Sequence, residues 1–168
     1  MKLTYDDVLI VPQFSEINSR ADVNISSFGL DVPVISANMD TVTDHLMAQA
    51  MVKNGGVGAL HRFSQIAKNI AMYYDSPEET FCSVGVGDNE KNRARALAHA
   101  GCYRFILDVA HGAQQQVVDQ AKWLLDSYDV ELIVGNFASP RSMEEFLKRT
   151  KGYNITAFKV GIGPGAVS

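Results

Sequence analysis

The sequence predicts an α/β fold, a (β/α)8 TIM barrel of which this chain supplies an N-terminal arm and about six βα strands. Three observations lead there. Short apolar segments alternate with single amphipathic helices, which is the pattern of right-handed βαβ crossovers on a parallel sheet. Polar or glycine residues stand at the C-terminal end of every strand segment: Asn38-Met39-Asp40, His61-Arg62, Gly85 with Gly87 and Asp88, Asp108 with His111 and Gly112, Gly135-Asn136, and a terminal glycine loop. A barrel collects its site from many strands at that face. No Gly-x-Gly-x-x-Gly follows the first strand, which argues against a doubly wound dinucleotide-binding sheet.

Residues 3–32 hold short apolar pieces, Val8-Leu9-Ile10-Val11 and Val23-Asn24-Ile25, broken by Pro12, Asn18-Ser19 and Ser26-Ser27. They read as an extended covering arm without a long helix. The first strand, Pro33 to Ala37, leads into a helix from about His45 to Lys53, capped by Thr43 or Asp44 and closed by Asn54-Gly55-Gly56. Val57 to Leu60 is the second strand, with Ser64 as N-cap of a helix through Tyr74. Phe81 to Val86 is the third, and Asp88 or Asn89 caps a helix running from Glu90 to about Ala100, where Gly101 ends it. Tyr103 to Leu107 is the fourth. The helix after it, from about Gln114 to Ser127, carries Val117, Val118, Ala121, Leu124 and Leu125 at helical spacing. Val130 to Val134 is the fifth strand, with Ser139-Pro140 at the N-cap and first position of a helix through Arg149. Ala157 to Val160 is the sixth, and it opens into Gly161-Ile162-Gly163-Pro164-Gly165. Alternate glycines around a proline make a tight loop whose amides and carbonyls face a ligand or ion. Met47 and Met51 read as core, and Trp123 as core or subunit interface.

Composition narrows the function. The chain has 168 residues, 46% hydrophobic and 20% charged, enough for one domain with a sizeable core. Its formal charge of −4, with Lys and Arg scattered, leaves no basic footprint for nucleic acid. Cys82 and Cys102 have no metal or redox spacing and read as buried small hydrophobes in a reducing compartment. No apolar run approaches a membrane span, and the first residues lack the apolar core of a signal peptide, so a cytoplasmic location is expected. A closed barrel needs eight strands, and six leave two open edges. The chain is therefore expected to be a fragment of the whole barrel.

Several motifs together resemble one family. Leu3-Thr4-Tyr5-Asp6-Asp7-Val8-Leu9-Ile10-Val11-Pro12, Ser36-Ala37-Asn38-Met39-Asp40-Thr41-Val42-Thr43, Leu107-Asp108-Val109-Ala110-His111-Gly112, Gly135-Asn136 and Lys159-Val160-Gly161-Ile162-Gly163-Pro164-Gly165 look like the IMP dehydrogenase/GMP reductase family, in the same order along the whole chain. The resemblance implies a barrel that binds a purine nucleotide and a nicotinamide cofactor at its C-terminal face, as a homotetramer; the missing strands make a complementing C-terminal chain the alternative partner. Family dehydrogenases usually carry a pair of regulatory CBS modules after the second strand. Only about twenty residues separate His61 from Phe81 here, so there is no CBS insertion. That absence, with Asp108-Val109-Ala110-His111-Gly112 and Ser83-Val84-Gly85-Val86, looks more like GMP reductase, which converts GMP to IMP with NADPH. An IMP dehydrogenase using NAD to make XMP is the alternative.

By resemblance, Ala37, Asn38 and Met39 line the nucleotide pocket, with Met39 against the purine, and Asn136 approaches the base or the reacting carbon. Asp108, with Val109 and Ala110, would hold the cofactor's ribose and nicotinamide end. Gly163 and Gly165 would offer backbone carbonyls to a potassium ion. Ser168 stands where the family has the cysteine that adds to the purine ring, and a serine hydroxyl is far less ionised than a thiol. That substitution keeps a catalytically dead nucleotide-binding member open as a second class of function. A phosphate-binding barrel of another chemistry, an isomerase or an aldolase with Lys159 as its amine, is the third. Plain structural readings stand beside these: Asp108 as cap of the following helix, His111 as a loop residue bonded to backbone, and His61-Arg62 as a solvated strand end or a phosphate contact.

Overall fold

The computed structural model of the chain describes residues 7–162. Five strands form one parallel sheet in sequence order: β1 (Ala59–Leu60), β2 (Phe81–Val84), β3 (Arg104–Asp108), β4 (Glu131–Phe137) and β5 (Ala157–Val160). Helix α1 (His45–Lys53) precedes β1, and α2 (Ile66–Tyr74), α3 (Asp88–His99), α4 (Gln115–Ser127) and α5 (Pro140–Arg149) make the four crossovers. An order that never reverses separates this sheet from a doubly wound one, whose order switches direction at its centre.

The two faces of the sheet confirm the reading. On one, Leu60, Cys82, Val84, Phe105, Leu107, Leu132 and Val134 pack with Met72, Leu97, Val117, Ala121, Leu124 and Phe146 of the helices. The other holds Val57, Ala59, Phe81, Ile106 and Ile133 with Phe28, Leu30, Ile35 and Ala157, and no helix residue. Helices on one face, and strand and arm side chains without a helix on the other, describe the arc of a barrel. Both cysteines are free and buried on the helix side, as expected.

The first expected strand shrinks to a single bridge, Ile35 to Val57. The Ser36 amide donates to the Val57 carbonyl (3.0 Å) and the Val57 amide to Val34 (3.1 Å). Pro33 has no amide hydrogen and the Val34 amide turns back to Val32 (2.7 Å), which interrupts the ladder, although the Val32 amide still reaches the Gly55 carbonyl (2.9 Å). Of the expected arm, Phe28 packs edge-on against Phe81 (5.3 Å between centroids), and its carbonyl accepts from Arg104 (3.4 Å). Upstream, Leu9 and Ile10 are 95% exposed, so this stretch does not cover the body.

Several caps follow expectation. Asp44 accepts from the Met47 amide (3.1 Å), Ser139 from the Ser142 amide (3.3 Å), and Gly55 and Gly101 take the left-handed conformation after α1 and α3. Others do not. α2 starts after Gln65 and α3 after Gly87, neither with a side-chain cap, because Ser64 lies one residue too early and Asp88 is already inside its helix. Met47 is exposed and Met51 half-buried, correcting the core assignment; the buried residue of α1 is Ala48. Trp123 is partly buried, edge-on to Tyr128, with Lys91 and Arg95 over its ring.

Ala48 is small because Gly58 needs it to be. A methyl group added at Gly58 would come 2.6 Å from both the Ala48 Cα and Cβ. Gly58→Ala should therefore push α1 off the sheet and lower stability by about 1–3 kcal/mol. Urea unfolding followed by circular dichroism reads it, and an unchanged midpoint would refute the close fit.

Candidate functional site

Strand alternation fills the inner face in layers. Arg104 and Glu131 lie at the bottom, charge-paired at 2.8 Å though off the line of a hydrogen bond. Ser83, Ile106, Ile133 and Ala157 are in register above them, and the next inner row is Asp108, Gly135 and Lys159.

In that top row Lys159 donates to Asp108 Oδ1 at 2.6 Å and to Asn38 Oδ1 at 3.1 Å, while Asn38 Nδ2 donates to Asp108 Oδ2 at 3.0 Å. The three side chains close a ring across three segments of chain. Gly135, between Asp108 and Lys159, makes the ring possible, because a Cβ there would come 2.3 Å from Lys159 Cβ. Asn38 is held by its own loop: the buried Thr43 hydroxyl donates to the Ala37 carbonyl (2.6 Å) and lies 2.8 Å from the Ser36 hydroxyl. The lysine and aspartate side chains remain 39% and 22% exposed. Each Asp108 oxygen keeps an acceptor position and Lys159 keeps one N–H. A neutral, fixed set of acceptors beside a donor suits hydroxyls, amides and the edges of heterocycles.

The expected site residues divide. Asn38 and Asp108 are brought together, and Asp108 caps nothing: α4 begins after Gln114, without a side-chain cap. Ala37 and Met39 are exposed at the same face. Asn136 follows Gly135 through a cis peptide bond; its amide donates to Val109 (2.8 Å), its carbonyl accepts from Gly112 (2.7 Å), and its side-chain oxygen is buried without a partner. The Val109 amide donates to Gly135 (3.0 Å), so that residue's backbone is committed to the strand end, whereas Ala110 is exposed. His111 is exposed in its loop. Gly163, Gly165 and Ser168 lie outside the described residues. Among the described residues no group of three or more His, Cys, Asp or Glu side chains is placed to hold a metal. Lys159 entered the sequence reading only as an amine for another chemistry. Its signal was available: a lysine two residues after Ala157 in a buried strand shares the inner face with it.

At the end of β1, His61 is buried. Its Nδ1 accepts from the Phe63 amide (3.2 Å), which leaves the proton on Nε2, and its carbonyl accepts from Asn69 (2.8 Å). Asn69 also accepts from Arg93, whose Nε donates to Glu90 Oε1 (3.1 Å), while Glu90 Oε2 accepts from the Gly85 amide (2.7 Å). This buried network ties the ends of β1 and β2 to α2 and α3.

Burial pushes the His61 imidazole below its ordinary value of 6.5, outweighing the nearby Asp40. The folded chain thus keeps His61 neutral where the unfolded chain takes a proton. Its stabilising effect is complete above 6.5 and is lost as pH falls from there toward the lower folded value. His61→Gln should flatten the stability change between about pH 7.5 and 5.5 relative to wild type; parallel curves for the two proteins would contradict it. Gly135→Ala should cost about 1–3 kcal/mol, whereas Lys159→Met, which breaks a part-exposed pair, should cost about 1 kcal/mol or less. Urea midpoints that reverse this order would overturn the account of Gly135 as the clearing.

The family model described as IMP dehydrogenase / GMP reductase domain matches residues 2–168. The chain is 27% identical to an inosine-5'-monophosphate dehydrogenase of Cryptosporidium parvum, over 98% of the chain and 52% of that protein. It is 34% identical to a GMP reductase of Lactobacillus gasseri, over 96% of the chain and 50% of that protein. Among solved structures, an inosine 5' monophosphate dehydrogenase from Legionella pneumophila superposes with a TM-score of 0.77 and 38% identity, over 97% of the chain and 51% of its own. The chain spans about half the length of these relatives.

Proposed function

The chain belongs to the IMP dehydrogenase/GMP reductase domain family, and on that premise we propose that it forms part of a nicotinamide-dependent purine nucleotide oxidoreductase. The favoured branch is a GMP reductase, converting GMP to IMP with NADPH; the alternative is an IMP dehydrogenase using NAD. The observation that carries the reading is the Asn38, Asp108 and Lys159 ring at the open ends of the strands.

The residues present suit a nicotinamide nucleotide. Such a cofactor would supply or accept the hydride. Asp108, pinned on both oxygens yet part-exposed, would take hydroxyl hydrogen bonds from its ribose. The backbone of Val109 and Asn136 braces the end of β3, on which Asp108 sits. Met39, about half exposed beside Asn38, would offer an apolar surface to a purine face, and Asn136 an unused buried acceptor for its edge. The potassium loop at Gly163 and Gly165, the nucleophile position at Ser168 and a homotetramer belong to the same proposal. So does the division into an arm, residues 1–32, and strands from residue 33 on. Among the described residues no helix is long and apolar enough to cross a membrane, which is compatible with a cytoplasmic enzyme.

With about half the length of its relatives and serine at position 168, the chain alone should not consume NADPH with GMP. Measurable turnover by the purified chain would sink that statement. Supplied with the C-terminal half of a relative, it should form a defined oligomer whose melting temperature rises with GMP or IMP. If neither nucleotide stabilises the complemented assembly, the purine-nucleotide reading fails.

A further inference from the structure

The two cysteines have no spacing in the chain that marks a site, yet the fold brings them together. Cys82 lies in β2, and Cys102 lies in the turn between α3 and β3, inside the same buried cluster on the helix side of the sheet. Each is only 3% exposed, and the two thiols are in hydrogen-bond contact. The direction of that contact follows from its surroundings. Cys102 Sγ donates to the Arg104 carbonyl at 3.3 Å, so its own hydrogen is used and its sulfur is left to accept from Cys82. Two sulfurs therefore face one another in the scaffold, away from the strand ends where the polar ring stands.

The two differ in their distance from solvent. Gly101 and Tyr103, on either side of Cys102 in the chain, line a surface cavity of about 290 Å3 together with Tyr73 and Glu78. Gly101 has φ +99°, and a Cβ there would meet nothing within 4 Å among the described residues. Opening this turn breaks only the last bonds of α3, those from the Gly101 and Cys102 amides to the Ala98 and Leu97 carbonyls (both 3.0 Å), and leaves the sheet ladder intact. Cys82 sits within the ladder. Burial, and after it the Cys102 thiol, pushes the Cys82 thiol well above its ordinary range, so Cys82 keeps its proton while the turn opens.

We propose that Cys82 and Cys102 form a dithiol oxidation site, closed to a disulfide by hydrogen peroxide that enters at the turn between α3 and β3. The Cys102 sulfur, as thiolate, attacks one peroxide oxygen: an S–O bond forms, the O–O bond breaks, and hydroxide leaves to take up the thiol's proton as water. The Cys82 sulfur then attacks the Cys102 sulfur: the S–S bond forms, the S–O bond breaks, and a second water carries off the Cys82 proton. Two thiols and one peroxide thus give one disulfide and two waters, with sulfur oxidised and peroxide reduced. The sulfurs must close from contact to bonding distance, a movement that the turn at Gly101 supplies. The new bond encloses the whole of α3, and with it Glu90 and Arg93, in a loop anchored on β2. It stabilises the fold by limiting the freedom of the unfolded chain. The site is independent of the nucleotide reading above.

The test treats the reduced full chain with hydrogen peroxide in native buffer, then alkylates it with iodoacetamide in urea and weighs it intact and after proteolysis. The chain should lose two hydrogens, about 2 Da, take up no alkyl group and yield one linked peptide pair containing Cys82 and Cys102. Dithiothreitol should restore both thiols. The urea midpoint should rise on oxidation and fall back on reduction. Cys82→Ala should stop at a sulfenic acid on Cys102 that dimedone captures, whereas Cys102→Ala should leave Cys82 an unmodified thiol. If either variant fails to fold, the linked peptide and the paired midpoints of the wild-type chain still decide. Two alkylated cysteines after peroxide, a link found only between chains, or a link that forms only when peroxide is added in urea would each overturn the proposal.

Discussion

A missing side chain in the middle of the sheet is the constraint on which the site depends. Strands β3 and β5 are separated by β4, and their inner-facing residues meet only where β4 offers no Cβ. At Gly135 it offers none, so the Lys159 ammonium crosses to Asp108 at 2.6 Å. The parallel register puts Asp108, Gly135 and Lys159 in one row, and the inner-face alternation puts an apolar row directly below. A shift of one residue in either pairing would turn one member of the pair toward the helices. Register, glycine and ion pair are therefore one requirement seen at three levels.

Charge is also placed where the sheet has ends to hold. At the bottom, Arg104 reaches the carbonyls of Glu79 and Phe28, pairs with Glu131 and stacks over Phe81 and Tyr103. At the top of β1 and β2, the Arg93 and Glu90 pair is almost fully buried. Breaking such a buried pair typically costs about 3–5 kcal/mol, several times the worth of a part-exposed one. The two classes of ion pair so differ in role. Arg93 with Glu90 stabilises the scaffold, and Lys159 with Asp108 shapes a polar surface that stays part-exposed.

The functional reading joins these features to family membership. Under the proposed function, the neutral ring of donors and acceptors and the orphan asparagine oxygen at the open strand ends would suit a polar, heterocyclic ligand. The relatives are named for reactions of purine nucleotides, which are ligands of that kind. The chain matches about half of each relative. The described residues accordingly hold a part of the expected pocket, and Gly163, Gly165 and Ser168 fall past them.

By itself the sequence determined the fold class and the order of most helices and strands, and resemblance singled out Asn38 and Asp108 without placing them together. The physical reason is local: strand and helix periods, prolines, and glycines needing positive φ act within a few residues of chain. Caps were legible where a side chain could reach its own helix, as at Asp44 and Ser139, and illegible at Ser64 and Asp88, where one residue of offset decides. Only the tertiary structure decided that Lys159 belongs with Asp108, that Gly135 lies between them, that Met47 faces solvent, and that Pro33 to Ala37 forms one bridge in place of a strand. Each of these depends on what stands across the sheet, 24 to 121 residues away in the chain for the contacts made by Asn38, Lys159 and Leu132, and no local period encodes that distance.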